Sequence, residues 1–245
     1  MKTSLLTVAV VSALAATSGS VFAYEKGDWL VRAGVTTVAP DASSTPIFAG
    51  SLDLGQALPS IGSSLTVDVD NNTQLGLNIA YFVTDNINVE VLAATPFKHD
   101  ISFAAGKLAE TTHLPPTVTV NYFFLDGSSK FQPYVGAGVN YTIFFDEEFD
   151  DGAVAAIETI TQGDLGAAAT VSNLDLDASF GLSAQVGFDY EIADDMFLNA
   201  SVRYIDIETE ANFDISGVPS VATSGSIESV QIDPWVYTIS VGYKF

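Results

Sequence analysis

The histidines and cysteines that could do nucleophilic or metal chemistry are few, and they form no recognisable catalytic set. The chain has two histidines, His99 and His113, and Asp100 directly follows the first of them. A hydrolytic site needs a positioned base, a group that orients it and a defined nucleophile, and no spacing here supplies all three. Cysteine is absent, which removes thiolate nucleophiles, thiolate metal ligands and disulfides. We therefore expect no catalytic residues, no cofactor, no metal site and no enzymatic activity.

The chain is strongly acidic. It has 8 lysines and arginines against 30 aspartates and glutamates, for a net charge of -22, which argues against nucleic acid as a partner. The acids are densest at residues 146–151, where the Asp-x-Asp-x-Asp-Gly order of a calcium loop is missing. We interpret this segment as a solvated external loop in preference to a specific divalent-cation site.

The elements that would position these side chains are strands. In residues 235–245 the odd positions are large and apolar or aromatic, whereas the even positions are mostly small or polar. A period of two is typical of a strand with two different faces. Trp235 and Phe245 place aromatic rings at both ends of the apolar face. This arrangement favours a strand that crosses a membrane between two aromatic girdles over a strand of a soluble sandwich.

The same alternation recurs along the chain and predicts eight strands. They cover residues 29–36, 75–83, 87–94, 118–124, 135–143, 182–190, 198–204 and 235–245. Short turns at 84–86, 126–128 and 193–195 alternate with long connections at 40–72, 98–112, 146–173 and 213–231. An even strand number with short turns on one side and long loops on the other is typical of bacterial outer-membrane proteins. We predict an all-β fold, an eight-stranded antiparallel up-and-down transmembrane β-barrel with long extracellular loops.

The N-terminus has the features of a secretory signal peptide. Lys2 precedes an apolar run at residues 5–16, and a small residue, Ala23, ends the segment. We expect cleavage before Tyr24, which makes residues 1–23 the signal peptide and residues 24–245 the barrel in the bacterial outer membrane. The first long connection, residues 40–72, is unusually apolar for a surface loop, so it either folds over the barrel mouth or covers itself as a compact loop.

The chain also resembles the outer membrane protein W (OmpW) family of small Gram-negative barrels. The matching blocks occur in the same order over nearly the whole mature chain and fail mainly in the long loops. They are NTQLGLNIAYFVTDNINVEVLAATPFK at 72–98, HLPPT at 113–117, SKFQPYVGAGVNYTIFFD at 129–146, QVG at 185–187, YIDI at 204–207 and DPWV at 233–236. The resemblance implies an eight-stranded outer-membrane barrel whose narrow, hydrophobic bore is associated with uptake of small hydrophobic molecules.

An eight-stranded barrel has room for packed side chains or for one small ligand. Apolar residues at inward positions argue for an apolar guest. The candidates for this lumen lining are Leu30, Leu92, Phe144, Ile205 and Ile207. Inward glycines either open a cavity or bend the backbone of a tight barrel, and both readings stay open. These glycines are Gly34, Gly76, Gly136, Gly138, Gly181, Gly187 and Gly242.

Charged residues at inward positions predict a polar plug. Counted from the short turns, Arg32, Glu90 and Asp189 lie near one level, and Arg203 lies somewhat higher. Opposite charges at one level of a narrow bore should pair, because an unpaired charge there is costly. The pairs would block straight flow through the lumen, either as a regulated gate or as ion pairs that only stabilise the barrel.

A plugged lumen requires another exit for a ligand. Pro96 near the top of the third strand, and Pro115 and Pro116 at the top of the fourth, have no amide hydrogen to donate. We therefore hypothesise a lateral opening in the wall that leads into the outer leaflet. Prolines that only end strands at the rim would give the same sequence pattern.

The predicted function is binding and passage of small hydrophobic molecules through the narrow apolar lumen, with lateral exit into the membrane. The alternative is a structural or surface-interaction barrel, whose acidic loops bind cations, envelope lipids, phage or host surfaces without transport. The expected partners are outer-membrane lipids and lipopolysaccharide, a small hydrophobic ligand, and the barrel-assembly machinery through the C-terminal Phe245.

Overall fold

The computed structural model describes residues 24–60, 67–103, 106–126, 129–219 and 221–245. The expected signal peptide, residues 1–23, lies outside the described residues. In the part of the chain that is described, no helix has the length and apolar character needed to cross a bilayer.

The described chain is mostly strands, with two helices. In chain order they are β1 (Trp29–Ala39), β2 (Ser43–Ser44), β3 (Phe48–Ala49), β4 (Leu52–Asp53), α1 (Leu54–Ala57), β5 (Asp68–Val69), β6 (Asn72–Thr84), β7 (Ile87–Ala94), β8 (Phe97–Phe103), β9 (Gly106–Leu114), β10 (Thr117–Phe123), β11 (Phe131–Phe149), α2 (Asp151–Asp164), β12 (Thr170–Leu176), β13 (Ser179–Ala193), β14 (Met196–Ile205), β15 (Glu208–Ser216), β16 (Ser224–Gln231) and β17 (Trp235–Lys244).

Eight of these strands close into an antiparallel barrel. The order around the wall is β1, β6, β7, β10, β11, β13, β14, β17 and back to β1. Closure leaves no sheet edge in lipid, where an unpaired backbone group is costly. Alternate residues face outward, so Ile239 is 65% exposed while its neighbours Thr238 and Ser240 are buried in the lumen. The sequence-based prediction of an eight-stranded antiparallel barrel is confirmed.

The long connections contain more regular structure than the sequence patterns indicated. Residues 98–112 and 213–231, predicted as loops, contribute most of the β8–β9 pair and β16 with the end of β15. The acidic segment 146–173 is not a continuous loop either, because β11 extends to Phe149 and α2 follows. Asp150 ends the strand and caps the helix, since its carboxylate accepts hydrogen bonds from the amides of Gly152 and Ala153 at 2.9 and 3.1 Å. These segments form strands because they pair with each other outside the membrane. Such pairing between distant segments cannot be read from a short stretch of sequence.

The first long connection covers the barrel mouth. The short strands β2 and β3 pair with β16, and the connection buries Ile47 and Leu58. Its burial against other connections favours the first of the two readings of this apolar segment. Residue Ile61, which belongs to the same segment, lies outside the described residues.

The glycines inside the barrel permit close packing and do not open a cavity. A Cβ atom added at Gly138 would collide with the carbonyl oxygen of Val118, and one added at Gly187 would collide with the Tyr134 ring. Neighbouring atoms also occupy the space beside Gly34, Gly76, Gly136, Gly181 and Gly242. The cavity reading of the inward glycines is therefore wrong, since other atoms already fill the volume that their missing side chains leave.

Candidate functional site

An aromatic cluster closes the barrel at the end where the short turns lie. The rings of Tyr24 and Phe82 stack with centroids 4.2 Å apart, and Tyr24 also contacts Phe197 at 5.1 Å. Phe123 and Tyr134 complete the layer at 4.9 Å from each other. All five rings are buried, so the layer forms a sealed floor. The candidate lining residue Leu30 packs in this floor.

A network of buried charges lies directly on the floor. The Arg32 guanidinium donates to Glu90 at 2.6 Å, and to the two oxygens of Asp189 at 2.5 and 3.1 Å. Arg203 donates to the same Glu90 at 2.8 Å and to Gln185 at 2.6 Å. The two arginines and two carboxylates balance in charge, which reduces the penalty for burying them. The structure thus brings together the four residues that the sequence assigned to the polar plug.

Neutral residues that were not predicted from the sequence complete the network. The Tyr24 hydroxyl donates to Asp189 at 2.6 Å and joins the floor to the network. Asn199 donates to Asp189 at 2.9 Å, and Gln185 donates to Glu90 at 3.1 Å and to Asn121 at 2.5 Å. Their inward position in the alternating pattern was the available signal. Tyr24 had no such signal, because it precedes the first strand.

Above the network, the extracellular extensions enclose an apolar cavity of about 110 Å³. Its wall comes from connections that are distant in sequence, including Ile47 and Leu58 of the first connection, Ala109 of β9, and Phe213 and Ile227 of the β15–β16 pair. The alternating pattern of the strands does not mark these positions. The apolar character of residues 40–72 was the one signal noted in the sequence.

The five candidate lining residues separate into different layers. Phe144 lines the cavity. Ile205 and Ile207 are fully buried in the apolar cluster around the cavity, without lining it. Leu92 is 4% exposed and belongs to neither apolar cluster, and Leu30 lies in the floor. The wall of the apolar cavity therefore consists mostly of residues other than those that the alternating pattern selected.

The two histidines stack side by side in the cavity wall. Their ring centroids are 4.9 Å apart and the ring planes are 7° from parallel. The His99 Nδ1 atom lies 2.6 Å from the carbonyl oxygen of Asp70, whereas the carboxylate of Asp100 pairs with Lys107 at 2.8 Å. Both rings lie outside the membrane-spanning strands. Burial lowers the pKa of His99, and burial together with the neighbouring His99 lowers the pKa of His113 to about 3.

The backbone ladder between β7 and β10 has a gap at the height of the three prolines. The two strands pair from Ile87↔Tyr122 up to Leu92↔Thr117, and pairing across β8 and β9 resumes at Phe97↔His113. Among the described residues, 93–96 form no ladder pairs with 114–116. Pro96 and Pro116 are exposed and Pro115 is buried. A proline has no amide hydrogen, so these positions cannot donate to a ladder across the gap.

Comparisons with known proteins show that this chain is similar to a group of outer-membrane barrels. The sequence profile of the OmpW family matches residues 25–245. Outer membrane protein W of Vibrio cholerae is 44% identical over 251 residues, which is 100% of both chains. The crystal structure of the outer membrane protein OprG from Pseudomonas aeruginosa is similar, with a TM-score of 0.76, 36% identity and coverage of 91% of this chain and 97% of that one. A more distant relative, the dibenzothiophene metabolism operon protein PahQ of Pseudomonas aeruginosa, is 25% identical over 225 residues, 90% of each chain.

Proposed function

Because the chain belongs to the OmpW family of bacterial outer-membrane barrels, we propose that it takes up small hydrophobic molecules through the apolar cavity and releases them sideways into the membrane. The family is one of barrels and not of enzymes. The observation that carries the proposal is the cavity of about 110 Å³ with an almost wholly apolar wall, placed above the floor of buried rings. Apolar cavities favour apolar ligands, because both surfaces leave water on binding.

The sealed floor supports sideways release. A ligand that moved straight down would have to separate the Arg32, Glu90 and Asp189 ion pairs and then part the rings around Tyr24. Breaking a buried pair leaves an uncompensated charge, which costs about 3 to 5 kcal/mol. The gap between β7 and β10 offers a route on which no backbone ladder has to break.

A relative adds chemical support. PahQ is named as a protein of a dibenzothiophene metabolism operon, and dibenzothiophene is an apolar fused-ring compound. An apolar ligand of this general kind is what the cavity wall would accept.

Filling the cavity tests the binding step. Ala109 is 1% exposed and lines the cavity, so Ala109→Phe would occupy much of its volume. We expect the variant to lose most of the barrel-dependent uptake of radiolabelled toluene by cells that lack their own family member. Ala137→Phe, which adds the same side chain at an exposed position of β11, is the matched control. Equal uptake by both variants at equal surface expression would contradict the proposal.

Restoring amide donors tests the exit. In Pro96→Val and Pro116→Val variants, singly and combined, the two strands can pair further, so we expect slower toluene uptake with unchanged toluene binding. Pro133→Val, within β11 and away from the gap, is the control. Unchanged transport in the combined variant would end the lateral-exit hypothesis and leave the binding site standing. A barrel that neither binds nor transports toluene would favour the structural or surface-interaction role.

A further inference from the structure

Three of the residues that line the apolar cavity each carry a buried polar atom whose hydrogen bonds are unmet. Among the described residues that line it, four are polar: His99, Thr111, His113 and Thr209. The Thr209 hydroxyl donates to the carbonyl oxygen of Asp177 at 2.6 Å. The Nε2 atoms of His99 and His113 and the Oγ1 atom of Thr111 are buried and have no hydrogen-bond partner within the described chain. Buried polar atoms are normally paired, so three unpaired ones in one cavity require an explanation.

These three atoms belong to one patch of the β8–β9 pair. His99 lies opposite Thr111, and Phe97 lies opposite His113, on the same face of the two strands. Cross-strand neighbours have Cβ atoms about 4.5 to 5.5 Å apart, and the two imidazole rings are stacked. All three polar side chains are at most 4% exposed. The patch is therefore a compact polar spot in an apolar wall.

The hydrogen bond of His99 fixes which of its nitrogens carries the proton. A carbonyl oxygen can only accept, so Nδ1 must donate to Asp70 across the 2.6 Å contact. The lowered pKa of His99 keeps the ring neutral near pH 7. In a neutral ring with the proton on Nδ1, Nε2 carries a lone pair. The patch beside the cavity therefore contains an acceptor at His99 and, at Thr111, a hydroxyl that both donates and accepts.

We infer that His99, Thr111 and His113 form a subsite for the hydroxyl group of an otherwise apolar ligand, such as a simple phenol or a short-chain alcohol. The inference rests on the proposed function, because it concerns the same cavity. A hydroxyl donates to His99 Nε2 and accepts from Thr111 Oγ1, so it satisfies both at once. The polar head occupies the patch, and the ring or chain lies against the apolar wall.

Other polar groups fit the patch less well. A hydrocarbon leaves all three buried atoms unpaired, so its binding free energy is less favourable than that of a hydroxyl compound, which pairs the His99 and Thr111 atoms. A carboxylate cannot donate to His99 Nε2, and it would bring a charge into an apolar cavity of a chain whose net charge is -22. A hydroxyl is a small neutral group that both donates and accepts through one atom.

The test compares 4-ethylphenol with ethylbenzene, which have the same apolar body and differ by the hydroxyl. The chain has two histidines, so histidine labelled with ¹³C and ¹⁵N gives ring signals for this patch alone in a barrel without a histidine tag. Each compound is titrated into the barrel in lipid nanodiscs, with its partition into empty nanodiscs subtracted. We expect 4-ethylphenol to bind about three- to tenfold more tightly, the size of one or two net hydrogen bonds. The ¹⁵N shifts of His99 should show the proton on Nδ1 before the titration and a new hydrogen bond at Nε2 after it.

Variants separate the subsite from the cavity. His99→Phe keeps a ring of similar size, and Thr111→Val keeps the shape of the side chain, so each removes one polar atom from the patch, and the ratio of the two affinities measures its effect. We expect both to lose the preference for 4-ethylphenol, with the remaining His113 signals as the readout in the first. Thr112→Val, the neighbouring residue on the other face of β9, should keep the preference.

The outcomes distinguish the two proposals. If both compounds bind with equal affinity, or if His99 carries its proton on Nε2, the hydroxyl subsite is refuted and the apolar cavity remains. If neither compound binds, the proposed function itself fails.

Discussion

The ion pair between Arg32 and Asp189 offers the sharpest test of what stabilises the polar plug in the lumen. Arg32 donates two hydrogen bonds to Asp189, at 2.5 and 3.1 Å, and both side chains are fully buried. Asp189→Leu would leave two arginines facing the single carboxylate Glu90. Arg32→Met would leave two carboxylates facing the single guanidinium of Arg203. Each single variant therefore buries one uncompensated charge, whereas the double variant restores neutrality with the Glu90–Arg203 pair intact.

The expected magnitudes follow from this charge count. Removing one partner of a buried pair destabilises by about 3 to 5 kcal/mol, and replacing both by apolar residues of similar volume is often near neutral. Asp189→Leu also removes the acceptor of Tyr24 and Asn199. We therefore expect each single variant to lower the free energy of unfolding by at least about 3 kcal/mol. The double variant should lose much less than the sum of the two, with a favourable coupling of about 2 kcal/mol or more.

Urea unfolding in lipid vesicles measures these values. The fluorescence of Trp29 and Trp235, which are about half exposed on the outer wall, reports whether the barrel is in lipid, and the shift between folded and unfolded bands on electrophoresis gives a second probe. Val186→Leu, on the lipid face of β13, controls for general effects of substitution. Additive losses in the double variant, or single losses below about 1 kcal/mol, would refute the reasoning that charge balance holds this layer together.

Two further predictions concern the histidine pair and the inward glycines. Burial keeps His113 neutral in the folded barrel with a pKa of about 3, whereas an unfolded histidine has a pKa near 6.5. As pH falls, the unfolded chain therefore binds a proton first. The free energy of unfolding should drop by about 2 kcal/mol between pH 7 and pH 5. Urea unfolding at both pH values should show a clearly smaller drop in His113→Phe, and an unchanged drop would contradict the assignment. Gly138→Ala would push a methyl group into the Val118 carbonyl and should cost about 1 to 3 kcal/mol. Gly163→Ala, in α2 with open space around it, should be neutral or stabilise by up to about 1 kcal/mol. If both variants lost the same free energy of unfolding, the contact with the Val118 carbonyl would not be the reason for glycine at position 138.

The sequence determined the membrane-spanning part of this protein, because its rules are local. Alternation with a period of two assigned Ile239 to lipid and Ser240 to the lumen, and the short turns set the height of each strand. The distance of each residue from the short turns and its inward orientation together predicted that Arg32, Glu90 and Asp189 lie at one level. The structure pairs them at that level. The family resemblance predicted the same barrel, and the match to the family profile confirms that the chain belongs to the family.

Only the tertiary structure decided the apolar cavity. Its wall combines Ile47, Ala109 and Phe213, which meet because long connections pair with each other above the membrane, and no local pattern records such pairing. The same is true of the stacked rings of His99 and His113 and of the fit of Tyr24 into the floor. The inward glycines show the physical reason most directly: whether a missing side chain leaves a cavity or admits a neighbour depends on what packs across from it, as the Tyr134 ring does at Gly187.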